Sequence, residues 1–366
     1  MTSMNRPHYL SPVKQTARLL FAYKNFAAVH GISHIGLGVS QMHTANTLHR
    51  QGVWTKVAPI NSVADLRKEL LAKQATAVLQ DDVRVSHVIL AAPWLTTAEL
   101  NSLLYDFHDV CFVVVCHSNC AFLAADTGAI RRLKEMIGLQ VSTPNFHLAG
   151  NSQRFCHWAQ NAYGHTVITL PNLYDVSTFK KLSPHRKYSN PLQVGCFGSM
   201  RPLKNMFTAA AASMEVSERL GMDVEFHVTG GRDDYQSTIK PIAELFSDNH
   251  RVKLVQHNWM TWTDFRRLVS RMHVMMQPSF TESFNLVTAD GVAEGVPSAV
   301  STAIDWAPPR WQVEADDANA LAGASIRLLN DLDAPHDGQD SLRKYVVSGT
   351  KDWMDYICPM HVAMGT

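Results

Sequence analysis

The stretch Gln277–Pro297, QPSFTESFNLVTADGVAEGVP, carries a buried strand into a helix through a short polar turn. The apolar run Val274–Gln277 reads as the strand, and Pro278 and Ser279 end it. Thr281 and Ser283 are residue types that cap helix N-termini, and Phe284–Glu294 can wind a helix that Gly295 and Pro297 stop. Glu282 then stands at the helix entrance with Asp290 eight residues on, about 12 Å further along the axis at the usual rise per residue. Strand followed directly by helix is the unit of a parallel α/β layer.

The same alternation runs outward in both directions. In the first half, Arg18–Tyr23, Val53–Val57, His87–Ala91, Val110–Cys116, Phe146–Gly150 and Thr166–Leu170 read as strands. A glycine-bearing loop, His30–Gly38, follows the first of them. Helical patterns cover Ser40–Arg50, Ser62–Lys73, Thr97–Leu104 and Thr127–Ile137. Leu182–Leu192 (LSPHRKYSNPL) interrupts with two prolines and three basic or histidyl groups in a row, which is linker chemistry. A second alternation begins after it, with strands at Gln193–Phe197, Val224–Thr229, Val252–Val255 and Ser298–Ser301, and a helix Asn205–Leu220 stopped by Gly221. Ser341–Ile357 reads as a last helix. The expected fold is α/β, with two Rossmann-like domains, 1–187 and 188–340, facing a central cleft, and a C-terminal segment 341–366. Ligands of such sheets bind beyond the carboxyl ends of the strands, so the cleft is the expected site.

Composition narrows the class. The 366 residues carry 33 Lys+Arg against 32 Asp+Glu, and 46% are hydrophobic, as packed cores require. No apolar run reaches the ~18 residues of a membrane span, and Met1–Leu10 lacks an apolar signal core, so a cytoplasmic protein is expected. Six irregularly spaced cysteines make no disulfide framework, and CHSNC at Cys116–Cys120 lacks a second ligand pair at zinc spacing. The charge is uneven: residues 1–185 hold 16 Lys+Arg and 10 Asp+Glu, a balance of +6, and the remainder 17 and 22, a balance of −5. Asp65 is the first acid in the chain, after six basic residues. Such a field draws an anion to the first half.

A second chemical cluster follows the strand at Gln193–Phe197. In Cys196–Asn205, CFGSMRPLKN, Gly198 and Ser199 allow a tight turn with exposed amides, and Arg201 and Lys204 add two cations before a helix. Exposed N–H groups, a helix N-terminus and paired cations suit a diphosphate. The GxxxxGK[ST] spacing of a P-loop is absent. A sugar, a diphosphate and a ribose laid in line would span about the separation of Glu282 from Asp290. Glu282 could then hold sugar hydroxyls, the amides of Phe284, Asn285 and Leu286 could face phosphate, and Asp290 could reach ribose.

Together these segments resemble the donor site of GT-B glycosyltransferases of family 4. CFGSMRPLKN is similar to the family's G-x-x-R-x-x-K loop, and PSFTESF to its P-S-x-x-E-x-F segment with paired acids eight apart. Leu170–Phe179, LPNLYDVSTF, is similar to the family's PN-x-x-D-x-x-x-F stretch, and Ala149–Ser152 to the segment before it. His117 falls where the family has an active-site histidine, and Gly36 and Gly38 where an N-terminal glycine loop faces the donor. One departure is that the second acid is Asp290 rather than glutamate.

The resemblance implies a retaining, metal-independent transferase moving a hexose from a nucleotide-diphosphate sugar such as UDP-glucose, with no cofactor and no metal site. Asp81–Asp82 and Asp233–Asp234 are adjacent pairs, not the D-x-D of metal-dependent relatives. It further implies that His117, Glu282, Arg201 and Lys204 are catalytic, and that Gly36, Gly38, Gly198, Ser199, Asn258, Ser283, Phe284, Asn285, Leu286 and Asp290 bind the donor. The last helix should return across the hinge to the first domain. With a basic first half, the expected acceptor is anionic: nucleic acid, a phosphorylated lipid met peripherally at a membrane surface, or a charged glycan. The wording of CFGSMRPLKN also resembles bacteriophage glycosyltransferases that act on modified DNA bases. An epimerase or hydrolase on the same fold and a non-catalytic nucleotide-sugar binder are the rivals. No GxGxxG follows a strand, which disfavours a dinucleotide dehydrogenase.

Overall fold

The computed structural model describes residues 17–25, 36–79, 84–126, 128–182, 188–230 and 235–358. Expectations for Met1–Leu10, for the loop as far as residue 35, for Asp81–Asp82, for the linker at 183–187 and for Asp233–Asp234 lie outside them.

The first half alternates β1 (Arg18–Lys24), α1 (Gly36–Arg50), β2 (Trp54–Ile60), α2 (Val63–Leu79), β3 (His87–Ala91), α3 (Thr97–Asp106), β4 (Cys111–Cys116), α4 (Cys120–Ala125), α5 (Ala129–Ser142), β5 (Phe146–Gly150), α6 (Gln153–Tyr163) and β6 (Ile168–Thr169). All six strands are parallel, in the order β2-β1-β3-β4-β5-β6. Runs such as Leu19–Ala22 and Phe112–Val115 are buried completely or nearly so, because helices cover both faces of a parallel sheet.

The second half runs β7 (Leu192–Gly195), α7 (Met206–Leu220), β8 (Val224–Thr229), α8 (Tyr235–Phe246), β9 (Val252–His257), α9 (Trp262–Val269), β10 (Val274–Gln277), α10 (Leu286–Glu294), β11 (Ser298–Ser301), β12 (Gln312–Val313), α11 (Ala318–Asn330) and α12 (Ala334–Ile357). Its sheet is also parallel, ordered β12-β11-β10-β7-β8-β9. Strand order reverses between β1 and β3 in one sheet and between β7 and β10 in the other. At such a switch point the loops diverge and leave a crevice.

Several element boundaries differ from the sequence reading, and three of the differences have a clear local cause. Gly36–Gly38 belong to α1 rather than to a loop, since a side chain at Gly38 would come within 2.8 Å of the Tyr23 ring and only glycine lets helix and strand approach so closely. The helix of the acidic motif starts at Leu286, not Phe284, because Asn285 takes left-handed backbone (φ 63°) and its side chain caps the N–H of Thr288 at 2.8 Å. The last helix begins at Ala334, seven residues early, with Pro335 in the first turn where its missing N–H costs nothing.

That last helix packs on both halves. Leu342 and Val346 enter the core under the second sheet, whereas Trp353 and Ile357 enter the one under β1 and β4. The Trp353 indole donates to the carbonyl of Pro171 at 2.8 Å. Among the described residues, no helix is long and apolar enough to cross a membrane.

Candidate active site in the cleft

The carboxyl ends of both sheets line one cleft of about 780 Å³. On the second sheet, β7 runs into Gly198, whose φ of +120° is open to glycine alone among common residues. Its N–H donates to the Thr229 hydroxyl at 3.3 Å, which ties this loop to the end of β8. A single 3-10 turn, Pro202–Lys204, then presents Arg201 and Lys204 to the cleft. The Arg201 guanidinium lies 5.2 Å from the centre of the Phe122 ring, across the cleft on α4.

Glu282 leaves the β10 turn only 9% exposed. Its Oε1 accepts three bonds: from Lys204 Nζ at 2.5 Å, from the Ser279 hydroxyl at 2.8 Å and from Asn285 Nδ2 at 2.8 Å. Burying a carboxylate is costly without such partners. Since α10 begins four residues later, Glu282 and Asp290 are not two turns of one helix, and the spacing of about 12 Å drawn from helical rise does not apply. The capping by Asn285 uses the N–H of Thr288, outside the amides of Phe284, Asn285 and Leu286 expected to face phosphate.

Asp290 is 1% exposed and yet touches the cleft. Its Oδ1 accepts from the Tyr174 hydroxyl at 2.7 Å and from the Trp262 indole at 3.1 Å. Burial raises its pKa to about 7, opposed by those two donors and by the positive charge of Arg266. Behind it the His43 ring stacks on Tyr174, with centroids 4.0 Å apart, and its Nδ1 accepts the Asp175 N–H at 3.1 Å. Burial lowers the pKa of His43 to about 4, so it is neutral there.

From the first sheet, β3 leads into Ala92, a non-glycine residue at φ 73°, and β4 leads into His117. Backbone strain of that kind persists where surrounding structure holds it, and it clusters at functional sites. Gly36 at the start of α1 completes this wall. Two amides tie the walls together. Asn119 Nδ2 donates to the Glu282 carbonyl at 2.9 Å, and Asn151 Nδ2 donates to the Ser283 hydroxyl at 3.1 Å.

The structure therefore brings His117, Arg201, Lys204 and Glu282 into one cleft, together with Gly36, Gly198, Ser199, Ser283, Phe284, Asn285, Leu286 and Asp290. Gly38 and Asn258 are not in the lining; Gly38 faces the Tyr23 ring. Trp259 lines it too, and Tyr174, Trp262, Asn119 and Asn151 were not singled out in the sequence. Nothing local marks them, because each acts on a residue more than 25 positions away. Among the described residues, every charged side chain lining the cleft comes from the second half of the chain. The basic balance of the first half is thus not expressed on the described part of this wall. Among the described residues, no group of three or more His, Cys, Asp or Glu is placed to hold a metal.

Residues 191–331 match the family of group 1 glycosyl transferases. No curated protein matches the chain. Among solved structures, HepE from Anabaena, in complex with UDP and glucose, is 14% identical with a TM-score of 0.61, covering 93% of this chain and 99% of its own. Sucrose-phosphate synthase from Thermosynechococcus elongatus is 16% identical with a TM-score of 0.60, covering 93% and 98%. TarM from S. aureus, solved with fondaparinux, alpha-GlcNAc-glycerol and UDP, is 15% identical with a TM-score of 0.53, over 74% of this chain. This chain spans 55% of the length of TarM. The two facing parallel sheets are the GT-B arrangement, and the residues that match group 1 glycosyl transferases form its second half.

Proposed function

We propose that this chain is a retaining, metal-independent glycosyltransferase that moves a hexose from a nucleotide-diphosphate sugar, UDP-glucose or similar, to an anionic acceptor. The observation that carries the reading is the meeting of Glu282, Lys204 and Arg201 with His117 from the opposite sheet. HepE and TarM, which share the fold, were solved with UDP bound. In this reading the bond from the anomeric carbon to the diphosphate breaks. The acceptor oxygen bonds that carbon on the same face, and its proton passes to the departing phosphate oxygen. Negative charge grows on the diphosphate, where Arg201 and Lys204 stabilise it. Glu282 holds the sugar, Asp290 accepts from ribose hydroxyls, and His117 contacts the sugar or leaving group. Modified bases of DNA are the first acceptor to test, ahead of lipid phosphates and glycans.

The test is turnover of a panel of nucleotide sugars with and without those acceptors. Release of nucleoside diphosphate that needs one donor and one acceptor is expected, and it should persist in EDTA. Donor loss without acceptor would instead make the protein a hydrolase or epimerase, and tight binding without turnover a binding protein. Arg201→Ala should lower kcat/KM about tenfold, the effect of losing one charge-assisted contact to the leaving group. Unchanged steady-state kinetics in that variant would remove Arg201 from the diphosphate site.

A further inference from the structure

His117 and Asn151 follow neighbouring parallel strands whose last residues, Cys116 and Gly150, are partners in register. The Asn151 N–H donates to the Cys116 carbonyl at 3.0 Å, so both side chains leave the sheet at the same level. Asn151 is only 2% exposed, and its Nδ2 lies 3.1 Å from His117 Nδ1 as well as 3.1 Å from the Ser283 hydroxyl. Two buried polar atoms at this point have no protein partner, His117 Nε2 and Asn151 Oδ1. An orphaned buried nitrogen on a cleft-lining ring is costly unless a ligand completes it.

Burial lowers the pKa of His117 to about 4, so the ring is neutral and carries a single hydrogen. An amide N–H can approach Nδ1 only if that nitrogen offers its lone pair. The hydrogen is then on Nε2, the nitrogen that has no protein partner.

We infer that Asn151 is a positioning residue for the transfer reaction: its amide holds His117 as the Nε2–H tautomer, and the same amide grips Ser283 of the opposite sheet. His117 thereby becomes a neutral hydrogen-bond donor to an oxygen of the bound sugar or of the leaving group. The Nδ2 group has two hydrogens, so one can serve the ring while the other reaches the opposite sheet. This inference rests on the function proposed above for its kinetic consequence, but its central claim concerns the free protein and needs no substrate.

The experiment compares wild type with Asn151→Asp, Asn151→Ala and Ser283→Ala, after thermal melts confirm that each folds. Protein with 15N-labelled histidine reports the ring state directly, with the His117 signals assigned by a His117→Gln variant. Wild type and Ser283→Ala should show a neutral ring protonated on Nε2 down to about pH 5, since neither change removes the donor to Nδ1. In Asn151→Asp a carboxylate can only accept, so the proton should move to Nδ1 and the ring should titrate at a higher pH. Asn151→Ala should show a mixture of tautomers. In turnover, Asn151→Asp should lose about 10- to 100-fold in kcat with donor KM changed less than threefold, the scale of a lost acid–base or donor contact. An Nε2–H signal retained in Asn151→Asp overturns the inference, and so does a wild-type kcat and pH profile in that variant. If the chain transfers no sugar at all, the nitrogen shifts still decide the tautomer claim, so the two failures are separable.

Discussion

Glu282→Ala is expected to lower kcat/KM by about 10²- to 10³-fold, the loss that follows removal of one preorganised group at a reacting centre. The carboxylate is almost wholly buried and all three of its described bonds fall on Oε1. Lys204, Ser279 and Asn285 thus fix its orientation before any ligand arrives, and preorganisation of this kind is what makes such a group effective. Glu282→Gln separates charge from shape. The amide oxygen can still accept from Ser279 and Asn285, but the ion pair with Lys204 disappears and the ammonium is left to a diphosphate. UDP affinity should therefore hold within about threefold of wild type or improve, while kcat falls by nearly as much as in the alanine variant. Steady-state kinetics paired with calorimetric titration of UDP would show the split. Full turnover in Glu282→Gln would mean that the sugar is held elsewhere.

Asp290→Asn is expected to change stability and donor affinity in opposite directions. Burial lifts the Asp290 pKa from 3.8 to about 7 in the folded chain. Between those two values the folded state binds more protons than the unfolded state, so stability falls as pH rises through that window. The stabilisation is complete below about pH 4 and gone above about pH 7. Asparagine keeps the acceptor for Tyr174 and Trp262 and never ionises. Its Tm advantage should be absent at pH 4, grow as pH rises to 7 and level off at several degrees, since one pKa unit is about 1.4 kcal/mol and each kcal/mol moves Tm by roughly 2–4 °C in a domain of this size. Donor affinity should drop about tenfold above pH 7, because an amide oxygen is a weaker acceptor for ribose hydroxyls than a carboxylate. Wild-type affinity should also sharpen as Asp290 ionises near pH 7, and the variant should show no such rise. A thermal shift and a UDP binding curve across pH 5–9 measure both. Parallel curves for the two proteins would show that Asp290 does not titrate in this range.

Much of the second half was legible in the sequence because its signals are local. Gly198, Arg201 and Lys204 lie within one turn, and the PSFTES segment carries its strand end, its acid and its helix start in consecutive positions. Those segments needed only spacing rules, and their side chains meet in the cleft. Where the spacing rules failed, one side chain had altered the backbone: Asn285 in left-handed conformation moves the start of α10 and cancels the distance drawn between the two acids. Gly38 failed differently, since its reason is the Tyr23 ring on a strand that the loop reading did not connect to it. The contacts that close the site were out of reach for a third reason. Asn119 meets Glu282 across 163 residues and Asn151 meets Ser283 across 132, and asparagines in polar turns look alike until two sheets face each other. The Tyr174 and Trp262 donors to Asp290 are of the same kind, aromatic residues that a sequence places in a core.

The long terminal helix has a mechanical consequence. Two rigid bodies joined by one covalent thread keep three rotational freedoms and can swivel, twist and bend. Here the chain passes from one body to the other twice, once between Thr169 and Leu192 and again along α12 between Val346 and Trp353. Two points of attachment leave a single easy rotation, about the line that joins them. Any opening of the cleft would then be a one-dimensional motion like that of a door on two hinges, and each return along that path would bring His117 back to the Glu282 wall in the same geometry, without a search over orientations.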